Sequence, residues 1–285
     1  MNAKLAIIGG TGFYDFEGLE IKDSVAVETP YGNPSDEFVI GELEGKEVVF
    51  LPRHGKGHRI MPSRINYRAN IYGLKKLGVT HIVSVSAVGS FKEEIEPGSL
   101  VIVDQFFDRT KNNVNNTFFD EGVAVHVAFS DPVCPVMFEA LVEIAKRLGL
   151  KAKYGGTYLN MEGPAFSTRA ESRIYKSWGV DVIGMTNMYE ARLSREAEIH
   201  FATIAQVTDY DSWKEEFVDV PTVLENLKKS VFASKSLLEE FIKQFPPQGD
   251  CTCEKALETA IVTDLNILDE RLRSKYWVLL KKYMK

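Results

Sequence analysis

The sequence has few cysteines and no long apolar run, and these shortages exclude several classes of protein. Its 285 residues include only three cysteines, too few for a scaffold held together by disulfides. We find no apolar stretch long enough to span a membrane, and the residues after Met1 lack a signal-peptide pattern. No run of lysine and arginine is dense enough to follow a nucleic-acid backbone, and the formal net charge is −6. We therefore expect a cytoplasmic protein that binds neither a membrane nor a nucleic acid.

The three cysteines fall in two places. Cys134 stands alone, whereas Cys251 and Cys253 are separated by a single residue. This spacing differs from the two-residue spacing of zinc knuckles, and no second Cys/His pair lies near it in the sequence, so we expect no metal there. The pair is interpreted as two incidental thiols. The alternatives are a redox-labile local disulfide, or a bridge that fixes the C-terminal segment.

The order of the apolar segments predicts an α/β fold. Short apolar strands, such as residues 4–8 and 79–86, alternate with amphipathic helices, such as residues 136–150. The length suits one large domain with its own core. We predict a single domain with a central mixed, largely parallel β-sheet flanked by helices. Residues 1–250 are predicted to form this domain, and residues 251–285 a C-terminal helical extension packed on it.

Three predicted strands end in small or polar residues. These ends are residues 9–12, 86–90 and 208–211, and we predict that they converge on one site. Ligands of open α/β sheets bind just beyond the carboxyl ends of the strands. The first end offers flexible glycines and the Thr11 hydroxyl, which suit an oxyanion or simply form a tight turn. The second, Ser86 to Ser90, is interpreted as another turn of small residues.

Two aspartates follow a strand that we predict to be buried, Ile199 to Val207. On an extended backbone, Asp209 and Asp211 point to the same side. Paired carboxylates suit a ligand with N–H groups, such as the edge of a purine. One of them, held protonated by its neighbour, can also pass a proton to a leaving group. A helix-capping Asp beside a surface Asp is the alternative.

A basic segment follows another predicted strand. Arg53 and His54 stand side by side there, and a guanidinium suits phosphate because it offers a planar fork of donors. His54 and His58 also have the i, i+4 spacing of a zinc pair. The glycines between them argue against the helix that such a pair requires, so phosphate is the preferred interpretation.

Two later segments add candidate ligand contacts. Phe166 precedes a predicted helix, and it either stacks on a planar ligand or packs in the core. Met185 offers an apolar wall at a strand end, and Thr186 offers a hydroxyl. The segments Thr168 to Glu171 and Asn187 to Glu190 both have the form of helix-capping boxes, so each predicts a helix start.

Seven sequence blocks, taken in order, resemble those of a known family: GGTGF, PRHGKGH, MPSRINYRANI, SAVGS, MEGPAFSTRAES, VIGMTNMYEARLSREAE and TDYDSW. The chain resembles the trimeric purine nucleoside phosphorylases over roughly residues 4–245, and within them the branch that cleaves 5′-methylthioadenosine. The resemblance implies a nucleoside phosphorylase-like fold and phosphorolysis to adenine and 5-methylthioribose 1-phosphate. It implies no metal and no organic cofactor, with inorganic phosphate as a substrate. It also implies a homotrimer or a dimer of trimers.

The resemblance further implies roles for individual residues. Phosphate would be held by Thr11, Arg53, His54, Ser86, Ala87 and Thr186. The nucleoside would contact Met185, Asp209, Asp211, Val220, Val223, Leu224 and His126. Asp209 and Asp211 would be catalytic and would face N7 and the 6-amino group of adenine. His126 would reach the methylthio pocket of a neighbouring subunit, although a paired histidine in a core or an interface is the alternative.

Three positions bear on the choice of substrate. The oxopurine branch of the family typically has Asn at the position of Asp209 and Glu at that of Ser167, so both residues favour a 6-aminopurine. Ala165 replaces an arginine that is usual in the family. Three other functions remain as alternatives to the cleavage of 5′-methylthioadenosine. They are a relative acting on methylthioinosine, inosine, guanosine or adenosine, a dinucleotide-binding oxidoreductase suggested only by GGTGF, and a non-catalytic purine-binding protein.

Overall fold

The computed structural model describes residues 4–9, 18–111, 116–214 and 220–284. Within these ranges the chain forms one eleven-stranded sheet flanked by six α-helices. The strands are β1 (Leu5–Gly9), β2 (Glu20–Val25), β3 (Phe38–Leu43), β4 (Lys46–Pro52), β5 (His81–Ser90), β6 (Leu100–Val103), β7 (Gln105–Arg109), β8 (Ala152–Tyr154), β9 (Thr157–Met161), β10 (Val182–Gly184) and β11 (His200–Asp209). The helices are α1 (Tyr67–Lys76), α2 (Pro135–Arg147), α3 (Arg169–Ser177), α4 (Asn187–Glu196), α5 (Val220–Lys243) and α6 (Glu270–Leu280).

The centre of the sheet consists of β4, β1, β5 and β11, which all run parallel. β1 and β11 are buried along their whole length, as expected of parallel strands covered on both faces. The antiparallel pairs lie further out, for example between β2, β3 and β4. Because parallel strands end at the same edge, the carboxyl ends of β1, β5 and β11 converge. The predicted mixed, largely parallel sheet is therefore confirmed, and β5 and β11 end side by side as predicted, while residues 10–12 of the first predicted end lie outside the described residues.

The segment Ser86 to Ser90 differs from the prediction, because it is not a turn. β5 continues through it to Ser90, pairing with β11 along most of its length and with β10 at Gly89 and Ser90. The strand thus has hydrogen-bonding partners on both sides at its carboxyl end. The small side chains of this segment do not turn the chain. They leave space beside the end of β5 for a cavity.

The two predicted capping boxes have different outcomes. Thr168 and Glu171 form the predicted reciprocal box at the start of α3. The box predicted at Asn187 is wrong, since Thr186 is the N-cap of α4 and makes no side-chain capping bond. Asn187 and Glu190 are instead buried against β5. None of the described helices is both long and apolar enough to cross a membrane.

The C-terminal segment packs on the same core as the sheet. Leu257, Tyr276 and Leu280 share a buried cluster with Tyr67 and Ile71 of α1. Among the described residues after 250, only α6 is an α-helix, and short 3-10 turns occupy Cys253–Lys255 and Leu265–Ile267. The predicted extension is therefore mostly turns, while the domain boundary at residue 250 stays a prediction.

Candidate active site

A cavity of about 560 Å³ lies at the carboxyl edge of the central strands. Its wall comes from the ends of β5, β10 and β11, the loop after β4, the loop before α3 and the start of α5. Twelve of the predicted site residues line it: Arg53, His54, Ser86, Ala87, Phe166, Met185, Thr186, Asp209, Asp211, Val220, Val223 and Leu224. Thr11 lies outside the described residues. The structure therefore brings together residues that are up to 171 positions apart in the chain, from 53 to 224.

Arg53 lies deep in this wall, and protein groups take up most of its donors. Its side chain is only 1% exposed and pairs with Glu190, which is equally buried. Nε and Nη2 donate to the two Glu190 oxygens, Nη2 also donates to Ser84 Oγ at 2.6 Å, and Nη1 donates to the Val85 carbonyl at 2.9 Å. One Nη1 N–H has no acceptor among the described residues. Arg53 thus offers a ligand one donor, rather than the whole fork that the sequence suggested.

Glu190 is a site residue that the sequence interpretation missed. Besides Arg53, its Oε2 accepts hydrogen bonds from Ser84 Oγ at 2.6 Å and Asn187 Nδ2 at 2.8 Å. A buried carboxylate needs such partners, because burial otherwise disfavours its charge strongly. Almost every residue of α4 is buried, so the sequence pattern of this helix did not single out Glu190.

His54 is neutral and has a defined tautomer. Its Nδ1 is 2.8 Å from the Ile60 carbonyl, so Nδ1 carries the proton and Nε2 is an acceptor. Burial, with the charge of Arg53 in addition, lowers the pKa of His54 to about 3. An acceptor of this kind suits a hydroxyl group, either on a protonated phosphate or on a ribose, better than a bare phosphate oxygen. His54 also stacks on His58, with ring centroids 4.1 Å apart.

An anion-binding corner surrounds the N-terminus of α4. Thr186 is the N-cap residue, and its buried Oγ1 has no hydrogen-bond partner among the described residues. Helix N-termini carry unpaired N–H groups and a partial positive charge, which favour oxyanions. Ser86 Oγ lies nearby, 3.2 Å from the Tyr158 hydroxyl, and Ala87 adds an open stretch of β5 backbone. This corner has the chemistry of a phosphate site.

The two predicted carboxylates share the cavity, but the geometry differs from simple strand alternation. Asp209 ends β11, whereas Asp211 begins a 3-10 turn with a φ of +49°. The Asp211 N–H donates to Asp209 Oδ1 at 2.7 Å, and Thr208 Oγ1 donates to Asp209 Oδ2 at 2.8 Å. The turn therefore brings the Asp211 side chain back toward Asp209, and the predicted extended backbone is wrong at this position.

Burial sets the protonation of this pair. It raises the pKa of both carboxyl groups, and that of Asp211 reaches about 6, with a smaller contribution from the charge of Asp209. Desolvation, rather than the neighbouring charge proposed from the sequence, is the main cause. Asp211 Oδ2 has no hydrogen-bond partner among the described residues. A protonated Asp211 is thus accessible near neutral pH, and it lies in the wall of the cavity.

Gly89 allows the carboxylates to approach β5 closely. A Cβ at this position would lie 2.8 Å from Asp209 Oδ1 and 3.2 Å from the Cβ of Asp211. Both distances are shorter than ordinary contacts, so any larger side chain would displace the acidic pair. The sequence pointed to this glycine only as part of a turn, and its role is instead to give space.

The remaining wall is apolar and partly open. Phe166, Val220 and Leu224 are 44%, 60% and 41% exposed, and all three line the cavity. Met185 lies under the loop before α3, where a Cβ on Gly163 would come within 2.4 Å of its sulfur. This part of the cavity offers contact to an apolar group.

Two other features considered from the sequence do not add to this arrangement. His126 is exposed and does not line the cavity of its own chain. Its segment pairs with the C-terminal region through a bridge between Val125 and Ile261. His54 and His58 have no third histidine, cysteine or carboxylate that completes a metal site among the described residues.

The comparisons with known proteins agree with this geometry. Residues 4–243 match the family model of the phosphorylase superfamily. The chain belongs to this superfamily. An S-methyl-5′-thioadenosine phosphorylase of Geobacter sulfurreducens is 50% identical over 100% of both chains, and one of Koribacter versatilis is 48% identical over 99% of this chain and 97% of its own.

Solved structures of the phosphorylase superfamily share the fold. A methylthioadenosine phosphorylase from an antarctic soil metagenomic library superposes with a TM-score of 0.89, at 44% identity over 98% of this chain and 99% of its own. A methylthioadenosine phosphorylase of Schistosoma mansoni in complex with adenine gives a TM-score of 0.85, at 36% identity over 90% and 96%. The predicted family and fold are therefore confirmed.

Proposed function

We propose that this chain is an enzyme that cleaves 5′-methylthioadenosine with inorganic phosphate, giving adenine and 5-methylthioribose 1-phosphate. The observation that carries the proposal is a single cavity that combines a buried pair of aspartates, an uncapped helix N-terminus and an apolar wall. These three parts match a purine edge, an oxyanion and a methylthio group. The relatives that cover the whole chain carry the same activity in their names.

The reaction follows from the chemistry of these parts. As the C1′–N9 bond breaks, its electron pair moves onto the purine, and the ribose becomes oxocarbenium-like. A proton delivered to N7 from the Asp209/Asp211 pair makes adenine a better leaving group. A phosphate oxygen then forms the new bond to C1′, and the negative charge of phosphate stabilises the cationic sugar beforehand. Asp211, with a pKa of about 6, is suited to hold the proton.

Phosphate would occupy the corner formed by Thr186, Ser86 and Ala87, with the remaining Arg53 donor and the Thr11 hydroxyl. His54 would accept a hydrogen bond from a protonated phosphate oxygen or from a ribose hydroxyl, as its tautomer requires. We infer that no organic cofactor takes part, because the proton and the nucleophile both come from groups already named. Met185 and Phe166 would lie against the nucleoside.

We also propose a homotrimer or a dimer of trimers in which His126 completes the cavity of a neighbouring subunit. Its exposure, and the exposure of Val220 and Leu224 at the cavity, support this arrangement. Mixing provides a test. If His126→Ala and Asp209→Asn are each strongly impaired, mixed and reassembled oligomers should recover activity, because some cavities then contain both native residues. Failure of mixing to raise activity would place His126 outside the site.

The first experiment measures adenine release from 5′-methylthioadenosine with and without inorganic phosphate. Adenosine and methylthioinosine serve as matched substrates. We expect release that requires phosphate and is fastest with 5′-methylthioadenosine. Faster cleavage of methylthioinosine would favour the oxopurine alternative and contradict the roles of Asp209 and Asp211. Release without phosphate would indicate hydrolysis and contradict the phosphate corner.

A further inference from the structure

A cluster of sulfur and nitrogen atoms lies away from the cavity. Cys134, His200, Cys251 and Cys253 each offer one ligand atom, and the four atoms lie within 4.8 Å of one another. The chain positions are far apart, since Cys134 precedes α2, His200 begins β11, and the two other cysteines belong to the C-terminal segment. All three cysteines carry free thiols, so neither disulfide considered from the sequence is present.

The three distances among Cys134, Cys251 and His200 are close to those of a tetrahedral metal centre, and Cys253 Sγ lies within 4.8 Å of each of these atoms. With bonds of about 2.3 Å to sulfur and about 2.0–2.1 Å to nitrogen, tetrahedral angles place two sulfurs about 3.8 Å apart and a sulfur and a nitrogen about 3.6 Å apart. Cys134 Sγ lies 3.8 Å from Cys251 Sγ. His200 Nδ1 lies 3.4 Å from Cys134 Sγ and 3.3 Å from Cys251 Sγ. Three thiols and one imidazole are a common ligand set of structural zinc.

The surroundings also fit a metal-bound histidine. His200 Nε2 lies 3.4 Å from Glu254 Oε1, which supplies the carboxylate that usually orients the second nitrogen of such a ligand. The ring stacks on His81, with centroids 4.1 Å apart and planes 4° from parallel, so its orientation is fixed. Cys134 is the N-cap residue of α2, and a helix N-terminus favours a thiolate.

We propose that Cys134, His200, Cys251 and Cys253 bind one zinc ion in a closed structural site. Binding displaces the three thiol protons, and the complex carries a net charge of −1, from three thiolates and one divalent cation. Because all four ligands come from the protein, the ion serves structure rather than catalysis. It fastens the C-terminal segment to the start of β11 and to the start of α2. This role is independent of the proposed phosphorolysis.

The test uses the full chain, produced with added zinc and purified under reductant without chelator. We expect about one zinc per chain by mass spectrometry of the metal, and loss of at least nine-tenths of it in Cys251→Ser and in His200→Gln. Thr252→Ala is the matched control, because it changes the exposed residue between the two cysteines and removes no ligand; it should retain the zinc. Equal metal content in all four proteins would overturn the proposal.

A second measurement avoids variants that fail to fold. The native chain, stripped of metal and titrated with Co(II), should develop the intense visible absorption of tetrahedral cobalt and a thiolate-to-cobalt charge-transfer band at one equivalent. Stripping should also lower the melting temperature, and zinc should restore it. The site would be refuted if these bands are absent and protein kept under reductant contains either three titratable thiols or a disulfide.

Discussion

The buried pair of Arg53 and Glu190 supports a quantitative prediction. Glu190→Gln keeps the shape of the side chain and part of its hydrogen bonding, but it leaves the guanidinium buried without an opposite charge. Breaking such a pair costs about 3–5 kcal/mol, and the isosteric change belongs at the lower end. A chain of this length has an unfolding entropy of about 0.6 kcal/mol/K, so the melting temperature should fall by about 5 °C or slightly more.

Phosphate should reduce this loss. In the variant, an anion bound beside Arg53 supplies the negative charge that Glu190 no longer provides. We therefore expect phosphate to raise the melting temperature of Glu190→Gln by more than it raises that of the unaltered protein. Differential scanning calorimetry across a phosphate titration, with chloride at matched ionic strength, measures both effects.

Glu196 provides a matched control on the same helix. It is also buried, but its carboxylate accepts the Phe118 N–H at 2.7 Å and makes no contact with Arg53. Glu196→Gln should leave the response to phosphate unchanged. A stability loss below about 1 kcal/mol in Glu190→Gln, or an equal phosphate response in all three proteins, would refute the view that the pair is ionised and faces the phosphate corner.

Three further predictions follow from the geometry. Burial raises the pKa of Glu196 from 4.5 to about 7. Between these pH values the native state binds more protons than the unfolded chain, so the free energy of unfolding falls as the pH rises. In denaturant titrations, Glu196→Gln should abolish this fall, so that its effect on the free energy of unfolding becomes up to about 3 kcal/mol more favourable at about pH 8 than near pH 4. Gly89→Ala should lower kcat/KM for the nucleoside by about 100-fold, because the new methyl displaces Asp209, and a folded variant within threefold of the unaltered rate would contradict this. Asp209→Asn should slow cleavage of 5′-methylthioadenosine and shift the substrate ratio toward methylthioinosine, because an amide can donate to O6; an unchanged ratio counts against contact between Asp209 and the purine.

Local patterns in the sequence predicted those features that depend on one segment at a time. The apolar runs located the central strands, and the Thr168 to Glu171 box located α3. Parallel neighbours end at one edge, so the strand ends also predicted where the cavity lies. Asp209 and Asp211 were found by an argument that holds only in part, since the positive φ of Asp211 replaces the extended backbone that was assumed.

Features that depend on contacts between distant segments were not predictable in this way. Arg53 and Glu190 are 137 residues apart, and only the tertiary packing of α4 beside the ends of β4 and β5 brings them together. Asn187 and Glu190 resembled a cap because the same residues that cap a helix can also form a buried network. Cys134 and His200 join the two later cysteines for the same reason, which no spacing in the sequence reveals.

The partly exposed apolar wall at Phe166, Val220 and Leu224 has a consequence for selectivity. These three side chains present no hydrogen-bond partner to a 5′-hydroxyl group, so any polar contact there would have to come from His126 of the neighbouring subunit in the proposed oligomer. Apolar surfaces discriminate against an added hydroxyl by only about 100-fold, whereas buried polar groups that lose a partner discriminate by about 10⁴-fold or more. We therefore expect weaker discrimination between substituents at the 5′ carbon of the sugar than between substituents on the purine base. On the proposed function, we expect adenosine to be a slower substrate than 5′-methylthioadenosine, and 6-oxopurine nucleosides to be discriminated against more strongly.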